Sequence, residues 1–295
     1  EQGLRAILAE VTVLRETGDR SHHSIKLTPG TYQLTHPIDL PSTLVADGLS
    51  FIGDPAGKVV LTSAVSSKRF RIEDGKVRYR FAAKEIPLPT PRAIQVNGRL
   101  QSSARHPNLG YLRIESASPD RRSGFQFRAG DLPNDLDLTL GECDLVFLHD
   151  WSCSRLPVAE IETSQSGRLT TVGPIGCQAD HYAIDHFEKN PRYYLEGHPV
   201  FADTAGEWYV DRHTNELVLV TGSETPTVAI PQLQQLIIAG ADGQSVNGLR
   251  FENITFTGTA FPMPDGGLSA AQATMHEPRD DKGHRTTSNR PTLSA

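Results

Sequence analysis

Only one stretch of the chain carries a helical pattern. Leu4, Ile7, Leu8, Val11 and Leu14 recur at intervals of three and four, and Gly18 supplies a stop. That spacing predicts an amphipathic helix over residues 4–17. From there on the apolar positions alternate in short runs broken by turn residues. Ser24-Ile25-Lys26-Leu27 meets Pro29-Gly30, Thr31-Tyr32-Gln33-Leu34 follows, and Ile38-Asp39-Leu40 stops at Pro41. A second round opens at Leu49-Ser50-Phe51-Ile52-Gly53, turns at Asp54-Pro55-Ala56-Gly57 and continues as Val59-Val60-Leu61. Ile25 to Leu49 is 24 positions (49 − 25), the length of one coil of a β-solenoid.

The same pattern returns after Leu236-Ile237-Ile238-Ala239-Gly240. In Leu249-Arg250-Phe251-Glu252-Asn253-Ile254-Thr255-Phe256, Leu249, Phe251, Ile254 and Phe256 are expected to point inward, with Asn253 at a corner. Stacked coils bury a row of apolar residues, need a cap at the end, and are not stable in twos or threes. The helix at 4–17 is the natural cap. Between about 65 and 230 the rhythm is lost and short alternating strands take over, including the hairpin of Trp208-Tyr209-Val210-Asp211 with Leu217-Val218-Leu219-Val220. Four parts are expected: cap helix and first coils (1–64), an inserted antiparallel β domain (65–230), resumed coils (231–275) and a polar tail (276–295) that is flexible or cut short. A solenoid ending in such a tail would leave an open edge, so this chain is expected to be the N-terminal part of a longer protein.

Composition narrows the function. Hydrophobic residues make up 37% and charged residues 22%, enough for a packed core. The formal charge of −6 (29 − 35) speaks against a broad nucleic-acid or anionic-membrane surface. No apolar run reaches the roughly 20 residues of a membrane span. No signal peptide opens the chain at Glu1-Gln2-Gly3. Cys143, Cys153 and Cys177 are too few for a disulfide framework and fit no zinc spacing, so no metal or cofactor is expected.

Several segments resemble a known group. Pro29-Gly30-Thr31-Tyr32-Gln33-Leu34, Ile94-Gln95-Val96-Asn97-Gly98-Arg99 with Ala104-Arg105-His106-Pro107-Asn108, Arg192-Tyr193-Tyr194-Leu195-Glu196 with Gly206-Glu207-Trp208-Tyr209-Val210-Asp211-Arg212, and Gly248–Phe256 stand in order over most of 25–260. They resemble secreted right-handed parallel β-helix proteins of the pectate-lyase-like superfamily, nearest to glycoside hydrolase family 141, which includes fucosidases and xylanases. The resemblance implies an all-β fold, a right-handed parallel β-helix with a capping helix, interrupted by an antiparallel insertion. It also implies a secreted or periplasmic setting, a polysaccharide or oligosaccharide partner, and catalytic carboxylates on coils beyond Ala295. Gly197 departs from the pattern, since relatives often carry Asn there.

Glycoside hydrolysis needs two carboxyl groups about 5–5.5 Å apart for retention or roughly 6.5–9.5 Å for inversion. Near the returning coils stand Glu252, Asp265, Glu277, Asp280 and Asp281. Asp265, His276 and Glu277 are the catalytic candidates, against a plain reading of solvated loop charges, and Asp280-Asp281 reads more simply as solvated charge. His149-Asp150-Trp151-Ser152 with Arg155 is the best aromatic and polar cluster: a Trp face stacks on sugar, while Asp and Arg fix hydroxyls. Its competing role is as an anchor for the insertion. Arg105 is either a cleft residue or half of an ion pair. Tyr193 and Tyr194 are successive, so one faces in and one out, and Tyr193 is taken as the binding candidate. His181 and His186 hint only faintly at a metal site. No phosphate loop or nucleophile elbow is present. A glycoside hydrolase is the first expectation, with a polysaccharide lyase or a non-catalytic glycan-binding or adhesion module as alternatives.

Overall fold

The computed structural model describes residues 1–67, 69–81, 91–139, 142–163, 167–176, 183–221, 225–240, 243–260, 263–264 and 266–271. Among these the chain is all-β apart from a helix at Gln2–Glu16 and short helical turns. It divides into two compact units, residues 1–66 with 229–261, and residues 67–228 with 262–295.

In the first unit the helix buries Leu4, Leu8 and Val11. Ile7 and Leu14, expected on the same stripe, are exposed, and Arg15 takes the next buried place. Its guanidinium donates to the carbonyls of Leu44, Asp19, Ser21 and Gly48, which is why a charge is tolerated inside. Gly18, at φ 94°, ends the helix.

Beyond the helix, strands pair in parallel ladders. His23–Leu27 pairs with Leu49–Gly53, and that strand pairs with Leu249–Glu252. Gly30–Gln33 pairs with Val59–Thr62, which pairs with Ile254–Thr257. Ile38–Leu40 pairs with Ile237–Ala239. The register sets Ile25 beside Phe51 and Phe51 beside Phe251. The repeat between the first two tiers is therefore 26 residues (51 − 25), not the 24 that Leu49 suggested. Asn253 does stand at the corner, at φ 54°. Its backbone carbonyl lies so close to Gly53 that a Cβ at Gly53 would collide with it. Phe251 stacks on the buried Phe51 with ring centroids 5.1 Å apart. Phe251 and Phe256 point the same way as the buried Phe51 and Leu61 beside them, and both remain exposed because no further strand covers their tier among the described residues.

The second unit is antiparallel. One sheet runs Trp208–Asp211, Glu216–Val220, Lys76–Arg80, Phe70–Glu73. The other runs Arg105–His106, Arg192–Glu196, Asp144–Leu148, Cys153–Glu162, Gly167–Thr171, Gly124–Phe127, Ser116–Ala117. Leu268–Ala271, assigned in sequence to resumed coils, instead pairs antiparallel with Cys153–Glu162. The core packs Phe125, Phe147, Tyr193, Leu195, Phe201 and Tyr209 with aliphatic neighbours. The hairpin Ala93–Val96 with Arg99–Ser102 turns on Asn97 and Gly98, both at positive φ, as a tight two-residue turn requires.

Candidate functional site

The hairpin between Asp144–Leu148 and Cys153–Glu162 closes over four residues, His149 to Ser152, tied by the Ser152 carbonyl accepting from the His149 backbone N–H at 2.9 Å. This loop lifts Trp151 out of the sheet, 51% exposed. Its indole meets the ring of Phe187, 53% exposed, edge-on with centroids 5.1 Å apart. The two rings rim a cleft whose walls include Leu148, Ile184, Glu188 and Pro191. An apolar cleft with a flat exposed indole and a few polar groups suits a sugar ring, which stacks its C–H face and hydrogen-bonds at its edge.

His149 supports this loop from below. Its Nε2 lies 2.8 Å from the Oγ of fully buried Ser154. That Oγ already accepts from the backbone N–H of Gly176 at 3.1 Å and of Ala270 at 2.9 Å. It therefore donates its proton to His149, which leaves the imidazole's own proton on Nδ1. Burial pulls the His149 pKa down to about 4, so the ring is neutral at ordinary pH. Ser154 is fully hydrogen-bonded and buried, which disqualifies it as a nucleophile. His149 thus positions the loop from beneath, and Trp151 is the residue of this loop whose ring stays exposed.

Arg155 does not join this cleft. Strand alternation turns it, with Tyr194 and Glu196, to the face away from the core, and it is ion-paired with buried Glu196. The neighbouring pair of Arg92 and Asp144 sits on the same face. Glu196 and Asp144 are register partners, yet each is held by an arginine. Arg105 donates from Nε to the Pro107 carbonyl at 3.0 Å and from Nη2 to the Gly110 carbonyl at 2.6 Å. Its guanidinium lies 3.9 Å over the Tyr194 ring, so it fixes the 107–110 loop. Tyr193 is corrected: it is 0% exposed and packs on Phe125 at 4.7 Å, while Tyr194 is the outward member of the pair. Burial pushes the Tyr193 hydroxyl pKa up.

Asp265, His276 and Glu277 lie outside the described residues, as do Asp280, Asp281, His181 and Cys177. Asp185, beside His186, accepts from the Arg121 Nε at 2.6 Å. Glu188 at the cleft is ion-paired with Arg113. Phe187 escaped the sequence reading, since a lone Phe after His186 in a polar stretch carries no periodic signal.

No family model matches the chain, and no curated protein matches it. A solved structure of a protein named a glycoside hydrolase superposes on it with a TM-score of 0.76 at 21% identity. The superposition covers 97% of this chain and 53% of that one, so this chain spans about half that protein's length. The likeness shows a shared fold.

Proposed function

We propose that this chain is part of a carbohydrate-active protein of the glycoside hydrolase kind, secreted or periplasmic, acting on a polysaccharide. In this reading the parallel ladders are coils of a right-handed parallel β-helix of the pectate-lyase-like type, near family 141, and residues 67–228 are its insertion. The observation that carries the reading is the superposition on a glycoside hydrolase over nearly the whole chain. The exposed Trp151 and Phe187 rim supports it independently, as a platform for a sugar ring. Hydrolysis takes place between two carboxyl groups. The carboxylates of the described cleft are poor candidates for that pair: Glu188 is bound to Arg113, and Asp150 stands in an exposed loop. Asp265 and Glu277, with His276 beside them, are kept as the candidates for that pair within this chain. The test is a panel of polysaccharides incubated with the full-length protein and assayed for new reducing ends. Release from at least one glycan is expected. Unsaturated products would replace hydrolysis by elimination, and an uncut panel with intact glycan binding would leave a binding module.

A further inference from the structure

Arginines alternate on both sides of one tight turn: Arg69 and Arg71 before Asp74-Gly75, Arg78 and Arg80 after it. Asp74 and Gly75 take φ of 50° and 71°, folding Phe70–Glu73 back on Lys76–Arg80. The register sets Arg71 opposite Arg78 and Glu216 opposite Arg80, so these four side chains share one face. With Arg69 and Phe70 they line an open pocket of about 290 Å³.

The Glu216 side chain is 1% exposed. Its Oε1 accepts from Arg71 at 2.6 Å and from Arg80 at 3.1 Å. Its Oε2 accepts no hydrogen bond and has Arg78 at 4.0 Å. Arg78 is further paired with Glu73 at 3.1 Å and Asp211 at 3.4 Å, and Arg71 approaches Glu73 at 3.6 Å. Four arginines thus face three carboxylates, a net charge of +1 at one spot. A buried carboxylate needs one good guanidinium partner to be neutralised. Here it is the anchor that gathers three. Each guanidinium carries five N–H donors, and Glu216 takes one each from Arg71 and Arg80. Arg80 is 63% exposed, and Arg69 has no ion pair among the described residues.

We propose that this pocket binds an oxyanion, the carboxylate of a uronic acid or a sulfate ester on a polysaccharide. The planar guanidinium fork matches both groups. Phe70, opposite Tyr79 in the register, turns its ring to the other face of the strand and packs on Tyr79 at 5.9 Å, so the arginine face is left to charged groups. The polysaccharide carrier rests on the proposed function, whereas the oxyanion chemistry stands on the pocket alone.

The test uses the whole chain and the double variant R69Q/R80Q, in which Arg71 still pairs with Glu216. The exposed R128Q, whose arginine is paired only at 3.7 Å with Glu115, is the control. Probes are inorganic sulfate followed by amide NMR shifts, and oligogalacturonate, dextran sulfate and neutral dextran followed by affinity electrophoresis. Sulfate should shift amides of residues 69–80. An acidic polymer should bind about tenfold more weakly to R69Q/R80Q, the equivalent of one charge-assisted hydrogen bond, and unchanged to R128Q. Preference between the two acidic polymers identifies the anion. Loss of the sulfate shifts in R69Q/R80Q with no polymer bound would keep the oxyanion site and remove the carbohydrate carrier. Equal binding by wild type and R69Q/R80Q, or no response of the wild type to any anion, would overturn the proposal. Should the double variant fail to fold, R69Q alone carries the same comparison with a smaller loss, since that side chain supports no described ion pair.

Discussion

The two units bury their residues by different rules. In residues 1–66 with 229–261, each ladder sets like beside like: Ile25, Phe51 and Phe251 form one column, Tyr32, Leu61 and Phe256 another. In residues 67–228 the antiparallel sheets have two faces. One enters the core with Phe147, Tyr193 and Leu195, and the other carries charged residues in pairs, Arg155 with Glu196 and Arg92 with Asp144. Antiparallel sheets tolerate a polar face, while a stacked column rewards repetition of apolar residues. Both surfaces proposed above for ligand, the Trp151 hairpin and the Glu216 arginines, belong to the second unit.

The sharpest way to break that contrast is to open one core at a time. Phe51→Ala and Trp208→Ala should each cost about 3–5 kcal/mol, because both side chains are almost fully enclosed. Trp208 also donates from Nε1 to the Gln101 carbonyl at 3.2 Å. Chemical denaturation followed by circular dichroism measures both, and a cost below about 1 kcal/mol at either site would contradict the packing described. Gly53→Ala belongs to the same scale, since the added methyl meets the Asn253 backbone, which the neighbouring ladder holds in place.

Two buried serines sharpen the comparison at the next level. Ser63 donates to the Gly258 carbonyl at 2.6 Å and accepts from the N–H of Gln232 and Leu233. Ser154 does the corresponding work for His149, Gly176 and Ala270. Each Ser→Ala change strands backbone donors and should cost about 1–3 kcal/mol. Ser154→Ala should in addition loosen the Trp151 loop, read as greater acrylamide quenching of the exposed indole. Ser63→Ala should leave that quenching unchanged.

Within the second unit, two groups give a pH dependence. The folded-state pKa of His149 is about 4, below its ordinary 6.5, so the unfolded chain takes up the proton first as pH falls. Stability is therefore full above 6.5 and is lost between 6.5 and 4, by at most about 3 kcal/mol. His149→Gln keeps an acceptor for Ser154 and should flatten the curve in that window. A slope unchanged by the substitution would show that the ring is solvated. Asp120 acts lower down. Although desolvation alone would raise its pKa, hydrogen bonds from Ser118, Ser123 and the Arg122 backbone bring it to about 2, so its contribution fades only as pH falls from 3.8 toward 2.

The ladders were legible in sequence because alternation and turn residues act locally. Ile25, Leu27, Phe51 and Leu61 announce themselves, and Asn253 marks its corner. The tier spacing was misread by two residues because Leu49 and Phe51 are both apolar, and only pairing chooses between them. Arg15 was invisible for the opposite reason: its burial depends on the Asp19 and Ser21 carbonyls just past the helix together with those of Leu44 and Gly48, which only the fold brings near. In the site, Trp151 stood out as an aromatic in a polar turn. Its partner Phe187 is brought to it only by the fold. The choice between Tyr193 and Tyr194 is a matter of strand phase: Tyr193 shares a face with Leu195, whereas Tyr194 shares the other with Arg192 and Glu196.

The most direct measurement is a fluorescence titration of the folded chain with neutral oligosaccharides. The chain has two tryptophans, and Trp208 is buried, so a change on addition of ligand reports Trp151. The account predicts a saturable shift with wild type that is lost in Trp151→Ala, while the melting behaviour of that variant stays within about 0.5 kcal/mol of wild type. A collapse of stability in Trp151→Ala, with no shift from any glycan in wild type, would contradict it and make Trp151 an anchor of the hairpin.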